Sequence, residues 1–236
     1  MPPMEAQVAV AKSRKYGTLE SGDTLEMIER PMGGLSLVLA DGQMSGKAAK
    51  AIAGIVVRKA IGLLADGVRD GAAARAASDY LYTQRAGKVL ATLNILSLDL
   101  QSESLVITRN NPAPVFLLEN GELTVLDHPV DPVGGRRAVR PEIHQVPLQA
   151  GLAVVMFTDG LLYAGERLGR PIDLPGRILE LNAEGQPDPA RWADGLLAEA
   201  LTLEEGRPAD DITVLVAAIL DRQGQDIRRL SVRMPF

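Results

Sequence analysis

"LADGQMSGKAAKAIAGIVV", residues 39–57, runs from the end of an apolar segment through Asp41-Gly42 into small and aliphatic residues at helical spacing. Just upstream, "GGLSLVLAD" (33–41) is almost continuously apolar, the pattern of a strand buried on both faces. A buried strand that ends on a carboxylate has three readings. Asp-Gly is common turn chemistry. An Asp ahead of a helix can accept its orphan amides. A carboxylate at the rim of a sheet can also hold a metal ion. One occurrence does not choose among them, so the neighbouring elements have to.

Strands are expected at 6–14 and 24–30, where apolar and polar residues alternate. Helices are expected at 45–66 and 71–86, both rich in Ala with apolar residues three and four apart, and Gly67 and Gly71 bracket the break. Strands follow at 91–100, 104–109 and 114–119, and Asn120-Gly121 marks a hairpin into 122–127. "VRPEIHQVPL" (139–148) and "LAVVMFTDG" (152–160) supply two more. A helical, loop-rich section covers 160–205. Strand 211–220 comes next, then a polar link and a last candidate strand, "RRLSVRM" (228–234). Strands in runs and helices in pairs lack the alternation of a parallel βαβ sheet. The expectation is an α+β fold, a sandwich of two antiparallel β-sheets with helices covering both outer faces. It would form a single domain over residues 1–236, with 222–236 as a C-terminal extension.

Composition narrows the function. Hydrophobic residues make up 46% of the 236 and charged residues 23%, ordinary values for a globular chain. The net charge of −5 argues against a nucleic-acid partner, which needs a basic field. With no cysteine there is no disulfide, zinc–thiolate site, iron–sulfur cluster or cysteine nucleophile. The N-terminal "MPPMEAQVAVAKSRKYG" lacks signal-peptide architecture, and no run of ~18 uncharged apolar residues suits a membrane span. The expectation is a cytoplasmic protein with no membrane partner.

The opening pattern recurs. "LESGDTLEMIER" sets Asp23 after Ser-Gly at the start of a strand, "AVVMFTDGLLYAGE" ends a strand on Asp159-Gly160, and "RPADDITVLVAAI" opens one on Asp210-Asp211. Each alone reads as a turn or a cap. Four such mouths in a chain with 30 acidic residues call for a joint explanation. Clustered carboxylates repel one another and are costly to desolvate unless neutralised. Hard divalent cations would neutralise them, because Mg²⁺ and Mn²⁺ prefer oxygen ligands. Two such ions ~3.5–4 Å apart can hold a phosphoryl oxygen and acidify a water. Glycine after Asp41 would free the backbone for a carbonyl to face an ion. Sequence alone does not show that the four sites converge.

"SGD", "ADGQMSGKAA", "FTDGLLYA" and "DDITVLV", in this order over nearly the whole chain, resemble the metal-dependent protein phosphatase family (protein phosphatase 2C). The likeness is to its bacterial SpoIIE/RsbU/RsbX-type branch, and most to a stand-alone stressosome feedback phosphatase of the RsbX type. "LNILSLDLQSESLVITRNNPAPVFLLENGEL" (93–123) also resembles that branch's central strands. The resemblance implies two Mn²⁺ or Mg²⁺ ions, with Asp41, Asp159 and Asp210 catalytic through them. Asp41 would bridge the ions and the Gly42 carbonyl would bind beside it. Asp159 and Asp210 would hold the second ion, with Asp211 as the neighbouring acid, and Asp23 would act on the first ion partly through water. It further implies a serine/threonine phosphoprotein phosphatase that attacks with a hydroxide held between the ions. The implied partners are phosphorylated STAS-domain regulators of a sigma-factor or stressosome pathway. A hydrolase of a small phosphorylated molecule and a catalytically inactive binding relative are the alternatives.

The chain departs from the family pattern in three places. Met44 stands where a second glycine is expected, "RNNPAP" (109–114) lacks the histidine of many relatives, and no arginine precedes Asp23 at the phosphate-binding position. Arg14 and Lys15 are the nearest substitutes. "GERLGRPIDLPGR" (165–177) offers arginines for docking a protein substrate. His128 and His144 read as surface or loop residues and Trp192 as a helix anchor. No Gly-x-Ser-x-Gly elbow occurs, and "GQMSGKAAK" lacks the spacing of a nucleotide-binding loop.

Overall fold

A computed structural model describes residues 3–224 and 227–233. In chain order the elements are β1 (Met4–Ser13), β2 (Thr24–Glu29), β3 (Gly34–Ala40), α1 (Gly46–Ala65), α2 (Asp70–Arg85), β4 (Leu93–Asp99), β5 (Ser104–Asn110), β6 (Val115–Glu119) and β7 (Glu122–Leu126). They continue with β8 (Glu142–Pro147), β9 (Ala153–Phe157), α3 (Asp159–Leu162), α4 (Leu174–Ala183), α5 (Pro189–Leu203) and β10 (Ile212–Asp221), with a 3₁₀ turn at Glu166–Leu168. One five-stranded sheet has the order β1-β10-β9-β6-β7 and the other β2-β3-β4-β5-β8. Every pairing is antiparallel.

The strand alternation explains the layering. In β3, Leu37 faces the opposite sheet, in a core shared with Leu96, Leu105, Leu117, Val154 and Leu215. Val38 and Ala40 face the other way, against Ile52, Ala53, Val56 and Ala60 of α1 and Ala73 and Ala77 of α2. That is why "GGLSLVLAD" reads as apolar throughout. Trp192 and Leu196 of α5 and Ile178 of α4 cover Val155, Val214 and Val216 on the far side of the other sheet. The result is four layers, helices on sheet on sheet on helices. Each helix buries one apolar stripe, as amphipathic surface helices do. Trp192 is fully buried and anchors α5.

Two expectations need correction. Gly67, with φ +81°, lies in the break between α1 and α2, but Gly71 is inside α2 and faces Ile143, where a Cβ would come within 2.5 Å of its Cδ1. Residues 228–233 of the last candidate strand form no strand, and residue 234 lies outside the described residues. Among the described residues no helix is long and apolar enough to cross a membrane.

Alanine lines the inner face of α1, so its backbone can approach β3 closely. A Cβ on Gly42 would lie 2.2 Å from the Ala49 carbonyl oxygen and 2.9 Å from the Ala53 nitrogen. Gly62, on the exposed side of the same helix, has open space around it. The two glycines should therefore respond in opposite directions to Ala. Gly62→Ala is expected to raise unfolding free energy by roughly 0.5–1 kcal/mol through helix propensity. Gly42→Ala is expected to lower it by about 2 kcal/mol or more through overpacking. Urea denaturation of both variants reads the signs directly, and a neutral Gly42→Ala would refute the close-approach account.

Candidate metal and phosphate centre

Antiparallel register brings the acidic mouths together in pairs. Thr24 pairs with Ala40, so Asp23 at the start of β2 lies beside Asp41 at the end of β3. Val214 pairs with Phe157, so Asp210 and Asp211 ahead of β10 lie beside Asp159 after β9. One pair belongs to each sheet. Face-to-face packing then places both at the same end of the sandwich.

Asp23 joins the two sheets. Its carboxylate is fully buried, and its Oδ2 accepts hydrogen bonds from Thr158 Oγ1 at 3.0 Å, just past the end of β9, and from Thr213 Oγ1 in β10 of the opposite sheet. Its Oδ1 is buried with no hydrogen-bond partner. Burial raises the Asp23 pKa to about 6, against the opposing influence of Thr213, Lys12 and Thr158. For Asp41, burial acts first and the negative charges of Asp23, Asp159 and Asp210 add to it, pushing the carboxyl up to about 8. Asp159 is raised by burial and then by Asp210. Four carboxylates thus share one electrostatic neighbourhood, and without a counter-cation the folded chain relieves the repulsion by holding protons.

The acidic pair ahead of β10 divides its labour. Asp211 is engaged at both oxygens: Oδ1 accepts the Lys15 backbone N–H and Oδ2 that of Gly22, each at 2.8 Å. It ties the β1–β2 loop to the start of β10. Asp210 is exposed, accepts the Asp211 backbone N–H at 2.9 Å, and lines a cavity of about 150 Å³ with Asp159, Gly160, Tyr163, Glu204 and Ala209. Glu204 is buried and holds that cavity's wall by accepting the N–H groups of Gly165 and Ala209.

The glycines beside the acids have a packing role that turn chemistry does not reveal. A Cβ on Gly160 would lie 2.1 Å from the Asp211 carbonyl oxygen, and one on Gly22 would lie 2.5 Å from Ala49 Cβ. Neither these two nor Gly42 has a positive φ. They let backbone and carboxylates crowd into one rim. Met44 is the reverse case, a non-glycine at φ +94° with its side chain exposed.

The other departures also have physical accounts. Asn111 is buried, donates to the Phe157 carbonyl oxygen at 3.2 Å and accepts the Ala113 N–H, so it links the end of β5 to the end of β9. Arg14 donates to Leu19 O in its own loop, and Lys15 contributes its backbone to Asp211. Arg167, Arg170 and Arg177 each pair with glutamates of the same chain, so the loop between Asp159 and Asp210 is less free to dock a partner than its sequence suggests. His128 is exposed and His144 is half-buried on β8. Thr158, Thr213, Asn111, Lys12 and Lys50 are site residues that sequence reading missed. The threonines had a signal, since each neighbours an acidic motif.

A donor set made only of oxygen suits a hard divalent cation. Asp23 Oδ1 is buried with no N–H or hydroxyl donor, and the Asp41 carboxyl lies within hydrogen-bonding reach of the Asp23 side chain. Among the described residues no three acidic or histidine side chains close into a ready ligand cage. Mg²⁺ and Mn²⁺ sites do not need one, because Mg²⁺ in particular keeps several waters. The residues therefore fit the group.

This architecture is the fold of the PP2C-type phosphatase domains. The phosphatase domain of SpoIIE from Bacillus subtilis with a fragment of its regulatory domain superposes with TM-score 0.78 at 21% identity, covering 95% of this chain and 66% of that one. The catalytic domain of the serine/threonine phosphatase PstP with two manganese ions gives TM-score 0.68 at 22% identity, over 92% of this chain and 100% of that one. RsbX in complex with magnesium gives 0.66 at 17% identity, over 93% and 100%. The family model for stage II sporulation protein E (SpoIIE) matches residues 31–220, and the chain belongs to that family. Stage II sporulation protein E of Priestia megaterium is 23% identical over 211 residues, which are 89% of this chain but 36% of that protein's length.

Two stability measurements probe the rim. A carboxyl whose folded pKa lies above its unfolded value holds a proton that the unfolded chain has lost. Its stabilising contribution is complete below the unfolded pKa near 4 and disappears as pH climbs through the folded value. Metal-free Asp41→Asn should therefore melt about 3 °C or more above the metal-free parent at pH 8.5, with the gap closing toward pH 5. A gap independent of pH would refute the clustered-charge account. Separately, Met44→Gly should gain roughly 1 kcal/mol in urea denaturation by releasing backbone strain, and a loss of stability would show that Met44 is unstrained.

Proposed function

We propose that this chain is a Mn²⁺- or Mg²⁺-dependent phosphatase of phosphoserine and phosphothreonine in a regulatory protein. The observation that carries the reading is the convergence of Asp23, Asp41, Asp159 and Asp210 from both sheets onto one rim, with an unpartnered buried oxygen on Asp23. Asp41, Asp159 and Asp210 would hold the ions, with the Gly42 carbonyl beside Asp41 and Asp23 acting partly through water. Asp211 is assigned to the loop tie rather than to an ion, because both its oxygens already accept backbone amides. When bound, the ions supply Lewis acidity to the phosphoryl oxygens and to the attacking water. The chain's own residues fix the spacing of the carboxylates: Thr158 and Thr213 orient Asp23, and Thr92 holds the Asp41 backbone.

The substrate we assign is a phosphorylated STAS-domain protein of a sigma-factor or stressosome pathway, in the cytoplasm. Membership of the SpoIIE family and likeness to RsbX support that assignment, and a chain without cysteine suits a reducing compartment.

Hydrolysis of p-nitrophenyl phosphate is expected to require added Mn²⁺ or Mg²⁺ and to stop with chelator. Asp41→Asn and Asp159→Asn should each lose about 100-fold or more in kcat with the fold intact by circular dichroism. Full turnover in protein shown metal-free by elemental analysis would overturn the reading. A phosphorylated metabolite turned over faster than any phosphoprotein would point to a small-molecule hydrolase instead.

A further inference from the structure

Lys12 and Lys50 reach one acceptor from different elements. Lys12, near the end of β1, sits opposite Thr213 of β10 and donates from Nζ to the Asp23 backbone carbonyl oxygen at 2.6 Å. Lys50, in the second turn of α1, donates to the same oxygen at 2.7 Å. Two ammonium groups that share one oxygen are held within a few ångströms of each other. Among the described residues neither is paired with a carboxylate at salt-bridge distance, although five aspartates, Asp23, Asp41, Asp159, Asp210 and Asp211, surround the same end of the sandwich. Each ammonium has three donors and spends one on this carbonyl.

Such a pair keeps donors free beyond the one carbonyl it shares. Like charges this close repel, and the carbonyl they share is neutral. Lys12 also lies in the field of the Asp23, Asp211 and Asp41 carboxylates. Two of these, Asp23 and Asp41, are assigned to metal ions, so with ions bound less of that negative charge is left for the lysines. An anion with several oxygens and two charges, lying against both ammoniums, would neutralise them. A phosphate monoester dianion has that charge and that number of acceptors, whereas a carboxylate carries only one charge. Lysine binds phosphate as a point charge, so it needs no planar fork geometry. The shared anchor is the carbonyl of Asp23, whose side chain faces Asp41. An anion seated on the two lysines therefore lies against the carboxylate rim, where a phosphoryl group would react.

We propose that Lys12 and Lys50 form the seat for the phosphoryl group of the substrate, and for inorganic phosphate after turnover. The assignment rests on the phosphatase reading. Its rival is that the lysines merely offset the acidic rim. The two roles are separated by what happens to phosphate. Removing a phosphate seat weakens phosphate and leaves metal affinity unchanged or tighter. Removing a mere counter-charge tightens the metal and leaves phosphate untouched.

The test uses the full chain loaded with Mn²⁺, comparing wild type with Lys12→Gln, Lys50→Gln and Lys50→Arg. Competitive inhibition of p-nitrophenyl phosphate hydrolysis by inorganic phosphate gives Ki, and calorimetry gives the Mn²⁺ dissociation constant without phosphate. Each Gln variant is expected to raise Ki about tenfold and to raise KM more than it lowers kcat, with Lys50→Arg recovering most of the loss. Lys50→Gln keeps the test decisive if Lys12→Gln fails to fold, because Lys50 is half-exposed at the start of a helix. Normal wild-type turnover with Ki unchanged in Lys50→Gln would overturn this assignment alone. A wild-type chain with no Mn²⁺-dependent turnover would remove the phosphatase reading and this assignment with it.

Discussion

A single buried carboxylate, Asp23, ties the two halves of the sandwich at the end where the chemistry is proposed to occur. Its Oδ2 takes hydroxyl donors from Thr158, just past the end of β9, and from Thr213 in β10 of the other sheet. Its backbone carbonyl takes two lysines, and its Oδ1 takes nothing. An ionised or unsatisfied polar group away from water is expensive. The fold tolerates it because three apolar layers elsewhere, between the sheets and under each helix pair, fix the strands that carry it. Moving either sheet would change the distance between the Asp23–Asp41 pair and the Asp159–Asp210 pair. The register of β2 on β3 and of β10 on β9 is thus a constraint on the site as much as on the core.

Much of this was legible in the amino-acid sequence, and the reasons are physical. Strand alternation and continuous apolar runs placed all ten strands to within a few residues, because burial on one or two faces writes itself into every second position. The helix pair after Asp41 was visible in its Ala-rich periodicity. The candidate strand at 228–234 shows the limit of that signal: "RRLSVRM" alternates, but its described residues, 228–233, form no strand. Pattern measures what a strand would bury, not whether a partner is there to bury it.

The site was legible as a set of acids and not as a geometry. Asp-Gly pairs mark the mouths of β3 and β9, yet a second reason for glycine is not visible in them. Backbone freedom was expected at Gly42, whereas the structure gives close approach of α1, a property of a helix whose contacts are not encoded at position 42. Asp210 and Asp211 could not be separated by type, since both are aspartates at a strand mouth. Only the amides of Lys15 and Gly22, nearly two hundred residues away in sequence, distinguish them. Lys12 and Lys50 carried no signal at all. A lysine on an exposed strand position and one on a helix are ordinary until the fold sends both to the same oxygen.

Stability alone gives no account of the rim, and that bears on whether the site works or is a relic. Burial and mutual repulsion raise Asp23, Asp41 and Asp159, so each opposes folding at neutral pH when no cation is present. Asparagine would keep the shape and many of the hydrogen bonds without that cost. A cation that binds only the folded chain reverses the balance by mass action, and the same repulsion that destabilises the empty rim becomes the driving force for holding the ion. The cluster suits the proposed cation site better than a purely structural role, because only Asp23 and Asp211 among its acids also hold strands or loops together.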